Sequence, residues 1–551
     1  MTRSRWMVVG AGALVVVLAI VLGVAVVGPG RDGPERRPVS TGTPAPPEYG
    51  TLFLPGIEHP DEFTMPYPST AEGEPLTVEL SANEGSPHRE WSLGLSFDAR
   101  ELANPLWDAE DSNLALTLAE LDRPALRFGG NGIDRHVWWT SSEEPAPDWA
   151  SVTVTPADLD RVAAVAEKVD ATVTIDLDLG HDDPARAADM AAHARESFGD
   201  RLLAVAIGNE PNGFHHEGQP QLAVRDASWT PETYQEALRE YSAELEKASA
   251  GLPVAGPGAY DAPWWRAFAE SGIPHQGALS MHWYPLWDCE GPNSSPANPT
   301  VEDLVSPAQR KRTEKIVTMG SEVAGEHDLP LWMEETGPTS CAGTNETSLT
   351  HAQALWTVDY TLTLAELGVE RVAFHSTLQA CRGGAPMSPI CARGELDEPG
   401  RIVEGRSTFL ALAMLGDIPE GRPLETQTSG DGLISAHSRL GDDGTLSIVL
   451  VDRRDSSDGT NATRLVEVSA SGQLSTQVPG GWELTRGSLL MADSLASHGS
   501  TLEELAPFSG DPSGASLAPD QSLSVASKPG TVTMLEFSLR ADPSPSDSGA
   551  D

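Results

Sequence analysis

The sequence predicts an α/β protein in which a (β/α)8 TIM barrel is followed by a C-terminal antiparallel β-sandwich domain. Two observations predict this architecture. Eight short apolar segments lie between Trp91 and Ser376, and a plausible helix follows each one. Such segments suit parallel strands covered by helices, and eight strand–helix units are typical of a TIM barrel. Beyond Gly416, short strands are separated by Asp-Gly turns, which are typical of antiparallel hairpins.

The N-terminal segment, residues 1–28, predicts export. An uncharged apolar run at residues 7–28 follows Arg3 and Arg5, and it is long enough to cross a bilayer of about 30 Å. The arginines favour a cytoplasmic N terminus. We expect an uncleaved signal anchor, with a cleaved signal peptide as the alternative. Either one leaves the rest of the chain outside the cell, anchored at its surface or secreted. Residues 29–50, rich in proline, glycine and arginine, are expected to be a linker.

The predicted barrel occupies residues 91–416. Its strands are predicted, in order, at Trp91–Asp98, Ala125–Gly130, Thr172–Asp178, Leu203–Asn209, Leu252–Pro257, Ala278–Tyr284, Leu329–Glu335 and Arg371–Ser376. The clearest helical patterns lie at Pro156–Val169, from Pro184 onward, at Pro231–Ala248 and at Glu404–Leu415. Residues 417–541 predict the β-sandwich, in which an early strand at residues 75–80 is expected to pair. Residues 542–551, rich in serine, proline and aspartate, are expected to be disordered.

The composition limits the partners of the protein. The chain of 551 residues has 36 Lys and Arg against 81 Asp and Glu, a net charge of −45. Such a surface repels nucleic acid and anionic membranes, so we expect no nucleic-acid partner and membrane contact only through the N-terminal segment. It also argues against long polyanionic substrates. An equally acidic surface can serve solubility or a salty habitat alone.

Four cysteines, Cys289, Cys341, Cys381 and Cys391, predict two disulfides in an exported protein. The sequence does not determine the connectivity; we favour Cys381–Cys391 and Cys289–Cys341. Zinc ligation is the alternative, but the spacings match no zinc motif. A second metal-like cluster comprises Asp176, Asp178, His181, Asp182 and Asp183. Because Pro184 opens a helix, we expect Asp182 or Asp183 to act as its N-cap instead. We predict no metal and no cofactor.

Two acids stand at the ends of predicted barrel strands. Glu210 follows the fourth strand, which Pro211 helps to end, and Glu334-Glu335 closes the seventh. TIM barrels carry their active sites at these strand ends. Strands four and seven lie across the barrel mouth, so the acids can face each other as the carboxyl pair of a retaining glycosidase, about 5–5.5 Å apart. A single glutamate there can be an ordinary loop residue, whereas the two together favour catalysis. Because side chains alternate along a strand, only Glu334 or Glu335 is expected to enter the mouth.

Several motifs resemble glycoside hydrolase family 79, the β-glucuronidase and heparanase family, in its bacterial type. They are GLSFDARELANP (residues 94–105), LRFGG (126–130), GNEPN (208–212), HWY (282–284) and WMEET (332–336). The resemblance implies that Glu210 is the acid/base, that Glu335 is the nucleophile, and that Asn209 binds the sugar 2-hydroxyl. It also implies that Tyr284 donates to Glu335.

Further candidates for substrate binding surround these acids. Arg127 is expected to add a cation beside Glu335 or to form a structural ion pair. Asp98 is expected to accept a sugar hydroxyl, and Trp283 to stack on the sugar or to pack in the core. His282 belongs to the HWY motif and completes the set.

The pocket for the sugar's C5 substituent departs from the family. The region after Ser376 lacks the tyrosine with which family members read a uronic carboxylate, and TGPTSCAG after Glu335 matches their glycine-rich segment weakly. Arg382, Arg393 and His375 are the alternative partners of a carboxylate. We therefore expect an exported retaining β-glycosidase that acts on a carbohydrate substrate: a β-glucuronidase for glucuronides or glucuronic-acid-ended glycans. The alternatives are a glycosidase for another β-linked sugar, such as a galactoside, and a non-catalytic glycan-binding protein at the cell surface.

Overall fold

A computed structural model describes residues 51–53, 61–63, 73–83, 91–215, 223–287, 300–396, 398–457, 462–472, 474, 478, 480–505, 516–518 and 522–540. The predicted signal anchor, linker and C-terminal tail, at residues 1–28, 29–50 and 542–551, lie outside these ranges. Within the described ranges, no helix is both long enough and apolar enough to cross a membrane.

Eight parallel strands close into a barrel in the order of the sequence. We number them β1 to β8; they span Ser92–Asp98, Ala125–Gly129, Thr172–Leu177, Leu202–Ile207, Val254–Ala259, Gln276–Trp283, Leu331–Thr336 and Val369–Ser376. The barrel closes because β8 pairs in parallel with β1 from Arg371–Ser92 to Ser376–Phe97. The predicted barrel is confirmed, and every predicted strand overlaps an observed one.

Helices surround the barrel. The main ones are Leu114–Ala119, Pro156–Lys168, Pro184–Phe198, Pro231–Ala248, Ala262–Ala269, Pro307–Glu326, His351–Glu366 and Ser407–Gly416. Several begin with a proline, which needs no hydrogen-bond acceptor at that position. Asp183 caps the helix at Pro184 by accepting from the backbone N–H of Arg186 at 3.0 Å, which confirms the predicted cap. The last helix begins later than predicted because residues 398–406 form a strand.

The barrel interior is apolar at its floor and charged above it. Ala204, Ala255 and Ala278 form a small apolar cluster against which Trp332 packs. Alternate residues of the same strands, such as Leu279 and Met281, face the apolar layer beneath the helices. Above the floor, the interior holds buried arginines and carboxylates, which carry the candidate site described below.

The C-terminal domain is a two-sheet sandwich, as predicted. One sheet orders Gly421–Pro423, Ile434–Gly441, Leu446–Asp452, Thr531–Leu539, Trp482–Met491, Thr501–Leu505 and Asp61–Phe63, with Ser516–Leu517 beside Trp482–Met491. The other orders Glu425–Thr428, Leu76–Ser81, Arg464–Ala470 and Leu523–Ser527. The pairs are antiparallel with two exceptions. Asp61–Phe63 pairs in parallel with Thr501–Leu505, and Leu76–Ser81 pairs in parallel with Arg464–Ala470. Segments that precede the barrel thus complete the sandwich that follows it.

A small sheet that the sequence analysis did not predict follows β8 at the rim of the barrel. It comprises Ala380–Arg382, Ile390–Glu395 and Glu398–Arg406, with Thr51–Phe53 at its edge. The predicted disulfide Cys381–Cys391 is confirmed and joins the first two of these strands. Cys341 is also disulfide-bonded; its predicted partner, Cys289, lies outside the described residues.

Candidate active site

The turn after β4 presents Glu210 at the barrel mouth. Gly208 adopts a positive φ of 80°, and a Cβ there would meet the side chain of Leu179 at 2.9 Å, so only glycine fits. Glu210 has a φ of 48°, in the left-handed region that a residue other than glycine rarely adopts. Its carbonyl accepts from the N–H of Gly213 at 2.8 Å, which closes a short turn. The chain therefore reverses sharply at this carboxylate.

A β-bulge in β7 sets the directions of Glu334 and Glu335. Met281 of β6 pairs with Met333, but the next residue, His282, pairs with Glu335, so Glu334 is one extra residue. Both glutamates consequently turn inward, so the alternation of side chains along the strand does not hold here, although only one of the two reaches the mouth, as expected. Glu334 lies inside the barrel, where it accepts from Arg371 Nε at 2.7 Å. Glu335 lies beside Glu210.

The two carboxylates and an imidazole form a close group. One oxygen of Glu210, one oxygen of Glu335 and one ring nitrogen of His282 all lie within 4.8 Å of one another. His282 Nδ1 is 3.1 Å from Glu210 Oε1. This spacing fits the carboxyl pair of a retaining glycosidase and is shorter than the roughly 6.5–9.5 Å of an inverting one. The same donor atoms are metal-ligand types, but the Arg127 guanidinium at Glu335 disfavours a divalent cation there.

Arg127 on β2 organises the group from below. Its Nη1 contacts Glu335 Oε2 and donates to Ser96 Oγ at 3.0 Å. Its Nη2 donates to Asp176 Oδ2 at 2.5 Å and to Asn209 Oδ1 at 2.7 Å. The side chain is almost fully buried, so one cation serves two carboxylates and fixes the amide that precedes Glu210. The sequence analysis weighed Asp176 only within an aspartate-rich stretch and missed it as a member of this site.

The electrostatics differ sharply among these groups. Burial by itself raises the pKa of Glu335, but His282, His375 and Arg127 outweigh it and hold that pKa well below its usual range. Burial raises the pKa of Asp176 to about 6, because desolvation outweighs the charge of Arg127. Burial and the charge of Glu335 raise the pKa of Tyr284 well above its ordinary value, so that its hydroxyl stays a donor. Glu335 is thus kept ionised.

Of the two remaining candidates, Asp98 lies at the pocket and Trp283 lies outside it. Asp98, closing β1, accepts from Arg100 Nε at 2.8 Å and from the N–H of Gly132 at 3.0 Å, and its charge helps to raise the pKa of His375. It therefore lies on the β1–β8 side of the pocket. Trp283 shares the alternation of Met281 and packs against the apolar layer outside the strands, which matches the core alternative rather than a sugar platform.

The three cations considered for a uronic carboxylate are placed differently. Arg382 pairs with Glu395 at 2.9 Å, and Arg393 contacts Glu404, both within the rim sheet. His375 on β8 instead lies with Nδ1 3.4 Å from Glu335 Oε1. Glu335 raises the pKa of His375 against the opposing effect of burial. Of these three side chains, His375 is the one that meets the carboxylate pair.

No protein-family model matches the sequence, and no curated protein matches it. Solved structures of similar fold include a 4-O-α-L-rhamnosyl-β-D-glucuronidase from Fusarium oxysporum 12S, at 18% identity over 84% of this chain and 100% of that one, with a TM-score of 0.60. A GH51 arabinofuranosidase from Xanthomonas axonopodis pv. citri has 14% identity over 84% and 99%, also with a TM-score of 0.60. A family 44 xyloglucanase from Paenibacillus polymyxa has 12% identity over 84% and 100%, with a TM-score of 0.54. These likenesses support the barrel-and-sandwich fold.

Proposed function

We propose that this protein is a retaining β-glycosidase of glycoside hydrolase family 79, with Glu335 as nucleophile and Glu210 as acid/base. The observation that carries the proposal is the approach of the two carboxylates to within 4.8 Å while their surroundings differ. Glu335 is buried among cationic and hydroxyl groups, and the side chain of Glu210 is 21% exposed. A double displacement needs this asymmetry, because one acid must be ionised when the other donates a proton.

In the first step, a carboxylate oxygen of Glu335 attacks the anomeric carbon and forms a glycosyl ester. The bond from that carbon to the leaving oxygen breaks, and Glu210 delivers its proton to this oxygen. In the second step Glu210 takes a proton from water, whose oxygen attacks the anomeric carbon, and the ester bond to Glu335 breaks. Asn209, held by Arg127 through its amide oxygen, keeps its amide N–H groups for the sugar 2-hydroxyl. That hydrogen bond strengthens in the transition state.

The substrate that we propose is a β-glucuronide, either small or at the end of a glycan chain. His375 supports this choice because it is a cation-forming side chain beside Glu335. The fold is also shared with a rhamnosyl-glucuronidase, although at low identity. The net charge of −45 favours small or neutral substrates over sulfated polymers. Export is part of the same proposal and rests on the sequence pattern of residues 1–28.

The test is a panel of chromogenic β-glycosides assayed with the wild type, Glu210→Gln, Glu335→Gln and Glu334→Gln. We expect wild-type turnover of the glucuronide, with retention of configuration at the anomeric carbon by NMR. Glu335→Gln should lose about 10⁴-fold or more, and Glu210→Gln about 10²–10⁴-fold. Glu334→Gln is the matched control, because it leaves the carboxylate of Glu335 in place.

Three results would overturn parts of the proposal. If the wild type turned over no glycoside in the panel, the proposed glycosidase activity would be rejected. Turnover of a galactoside without turnover of the glucuronide would keep the chemistry and replace the substrate. An active Glu335→Gln together with an inactive Glu334→Gln would reverse the assignment of the nucleophile.

A further inference from the structure

Asp134 is a buried carboxylate outside the catalytic group, and it connects two loops of the barrel mouth. It follows the short helix Gly130–Ile133 after β2 and is 1% exposed. Its Oδ1 accepts from the backbone N–H groups of Leu179, at 2.8 Å, and Gly180, at 3.0 Å. Its Oδ2 accepts from the N–H of Asn209 at 2.8 Å. One side chain from the β2 loop therefore holds the loops that follow β3 and β4.

The segment held in this way is strained. Glu210 adopts the left-handed conformation directly after Asn209, and such a conformation persists only where the surrounding structure imposes it. On the other side of Glu210, the carbonyl of Pro211 accepts from Trp229 Nε1 at 2.8 Å. Glu210 is thus bracketed by one fixed N–H at Asn209 and one fixed carbonyl at Pro211.

The approach of the β3 loop to Asp134 has its own requirement in the sequence. A Cβ on Gly180 would lie 2.6 Å from the carbonyl oxygen of Asp134. Real Cβ atoms do not approach backbone this closely, so glycine lets the two loops meet. Leu179, which donates to Asp134, is also the residue that packs against Gly208 before the turn. The contacts of Asp134 therefore converge on the turn that carries Glu210.

We propose that Asp134 is a positioning residue that fixes the Asn209-Glu210 turn, so that Glu210 can deliver its proton to the leaving group. This inference deepens the proposed function and rests on Glu210 being the acid/base. A purely structural carboxylate would affect both chemical steps alike. Loss of Asp134 should instead impair protonation of the leaving group more than the attack by Glu335.

Asp134→Asn is the variant that addresses this role. An asparagine oxygen can still accept from Leu179 and Gly180, but its NH2 group would then face the N–H of Asn209, and two donors cannot pair. The change therefore releases the end of the network next to Glu210. Gly180→Ala disturbs the same network without changing a charge, because the new methyl group displaces the β3 loop from Asp134. It carries the test if Asp134→Asn does not fold.

The measurement is kcat/KM for a series of aryl β-glycosides of the sugar that the wild type hydrolyses. A dinitrophenolate leaves without a proton, whereas a phenol with an unactivated ring needs the acid. We expect both variants to lose about 10²-fold on the phenyl glycoside and less than about 3-fold on the dinitrophenyl glycoside. Asp452→Asn is the matched control: this buried aspartate of the sandwich accepts from Ser527 Oγ at 2.8 Å, and its loss should not change the dependence on the leaving group.

Amide hydrogen exchange gives a readout that does not require activity. We expect the N–H groups of Leu179, Gly180 and Asn209 to be protected in the wild type, and that of Asn209 to exchange at least about tenfold faster in Asp134→Asn. An equal loss of kcat/KM for all leaving groups, or unchanged protection at Asn209, would overturn the proposal. If the wild type hydrolyses no glycoside, the proposed function fails by itself. Unchanged hydrogen exchange at Asn209 in Asp134→Asn would still refute the proposed positioning by Asp134.

Discussion

The Tyr284 hydroxyl donates to Glu335 Oε1 at 2.7 Å, while Arg127 contacts the other carboxylate oxygen, Oε2. Each oxygen of the proposed nucleophile therefore has its own donor, one from within β2 and one from the residue directly after β6. Hydrogen bonds to a charged form favour that form and also hold it in one orientation. Glu335 is thus both ionised and aimed before substrate arrives, and this arrangement predicts how the enzyme should respond to pH.

Tyr284→Phe should shift the acid limb of the pH profile. Removing the hydroxyl withdraws a donor from ionised Glu335, so the pKa of Glu335 rises. A hydrogen bond to a charged group contributes about 1.5–3 kcal/mol, and one pKa unit corresponds to about 1.36 kcal/mol. We expect the acid limb of kcat/KM to move up by about one to two pH units, measured with a chromogenic substrate.

Tyr241→Phe is the control for this experiment. Tyr241 lies on the helix Pro231–Ala248, and within the described structure its buried hydroxyl has no hydrogen-bond partner. Its removal should leave the pH profile unchanged. An acid limb that stays in place in Tyr284→Phe would contradict the proposed role of Tyr284.

His375→Gln should lower the preference for glucuronides. Any effect through Glu335 applies to all sugars, so the ratio of kcat/KM for a glucuronide to that for the matching glucoside, which carries CH2OH in place of the carboxylate, isolates recognition of the carboxylate. We expect this ratio to fall about tenfold, as loss of a charged hydrogen bond implies. In the wild type the ratio should also fall as the pH rises through the raised pKa of His375, because the imidazole then loses its charge. An unchanged ratio would contradict this role.

The sequence predicted the barrel because eight short apolar segments are each followed by a plausible helix, and it singled out Glu210 because this acid follows the apolar β4 segment and precedes Pro211. It expected only one of Glu334 and Glu335 at the mouth, which holds, but its reason does not, because one extra residue in β7 overrides the alternation of side chains. Asp176 and Asp134 were missed for another reason. Their partners are Arg127 on β2 and Asn209 in the turn after β4, at distances of 49 and 75 residues along the chain. Local patterns cannot report a contact that only closure of the barrel creates.

Asp359 should be a main electrostatic support between the barrel and the sandwich. It lies on the barrel helix His351–Glu366 and accepts from Arg453 Nη1 at 2.7 Å and Ser435 Oγ at 2.5 Å, both in the sandwich. Asp359→Ala leaves the buried Arg453 without this counter-charge, so we expect a loss of about 3–5 kcal/mol in the free energy of unfolding by urea.

Arg266→Ala is the control for that loss. Arg266 pairs with Glu326 at 2.7 Å, but both side chains are about half exposed, so solvent screens the pair and its removal should change the free energy of unfolding far less. Equal effects of the two substitutions would contradict the assignment.

The charges of Arg453 and Arg310 hold the pKa of Asp359 well below its usual range against burial. Its contribution is therefore present above the pKa of an unfolded aspartate and is lost as the pH falls through the folded value.

His351 should make the contact between the barrel and the sandwich sensitive to mild acid. Its Nε2 lies 2.9 Å from the carbonyl of Gly530 and its Nδ1 lies 2.7 Å from Ser500 Oγ, both in the sandwich. Burial lowers its pKa to about 4, whereas an unfolded histidine has a pKa of about 6.5. Between these values the unfolded chain binds a proton that the folded chain does not, so stability falls as the pH falls. The loss approaches the order of 3 kcal/mol near pH 4. The free energy of unfolding is measured by urea titration at pH 7, 6 and 5. In His351→Gln this part of its dependence on pH should disappear, even if the variant is less stable at every pH. A pH dependence identical to that of the wild type would show that His351 does not titrate in this range.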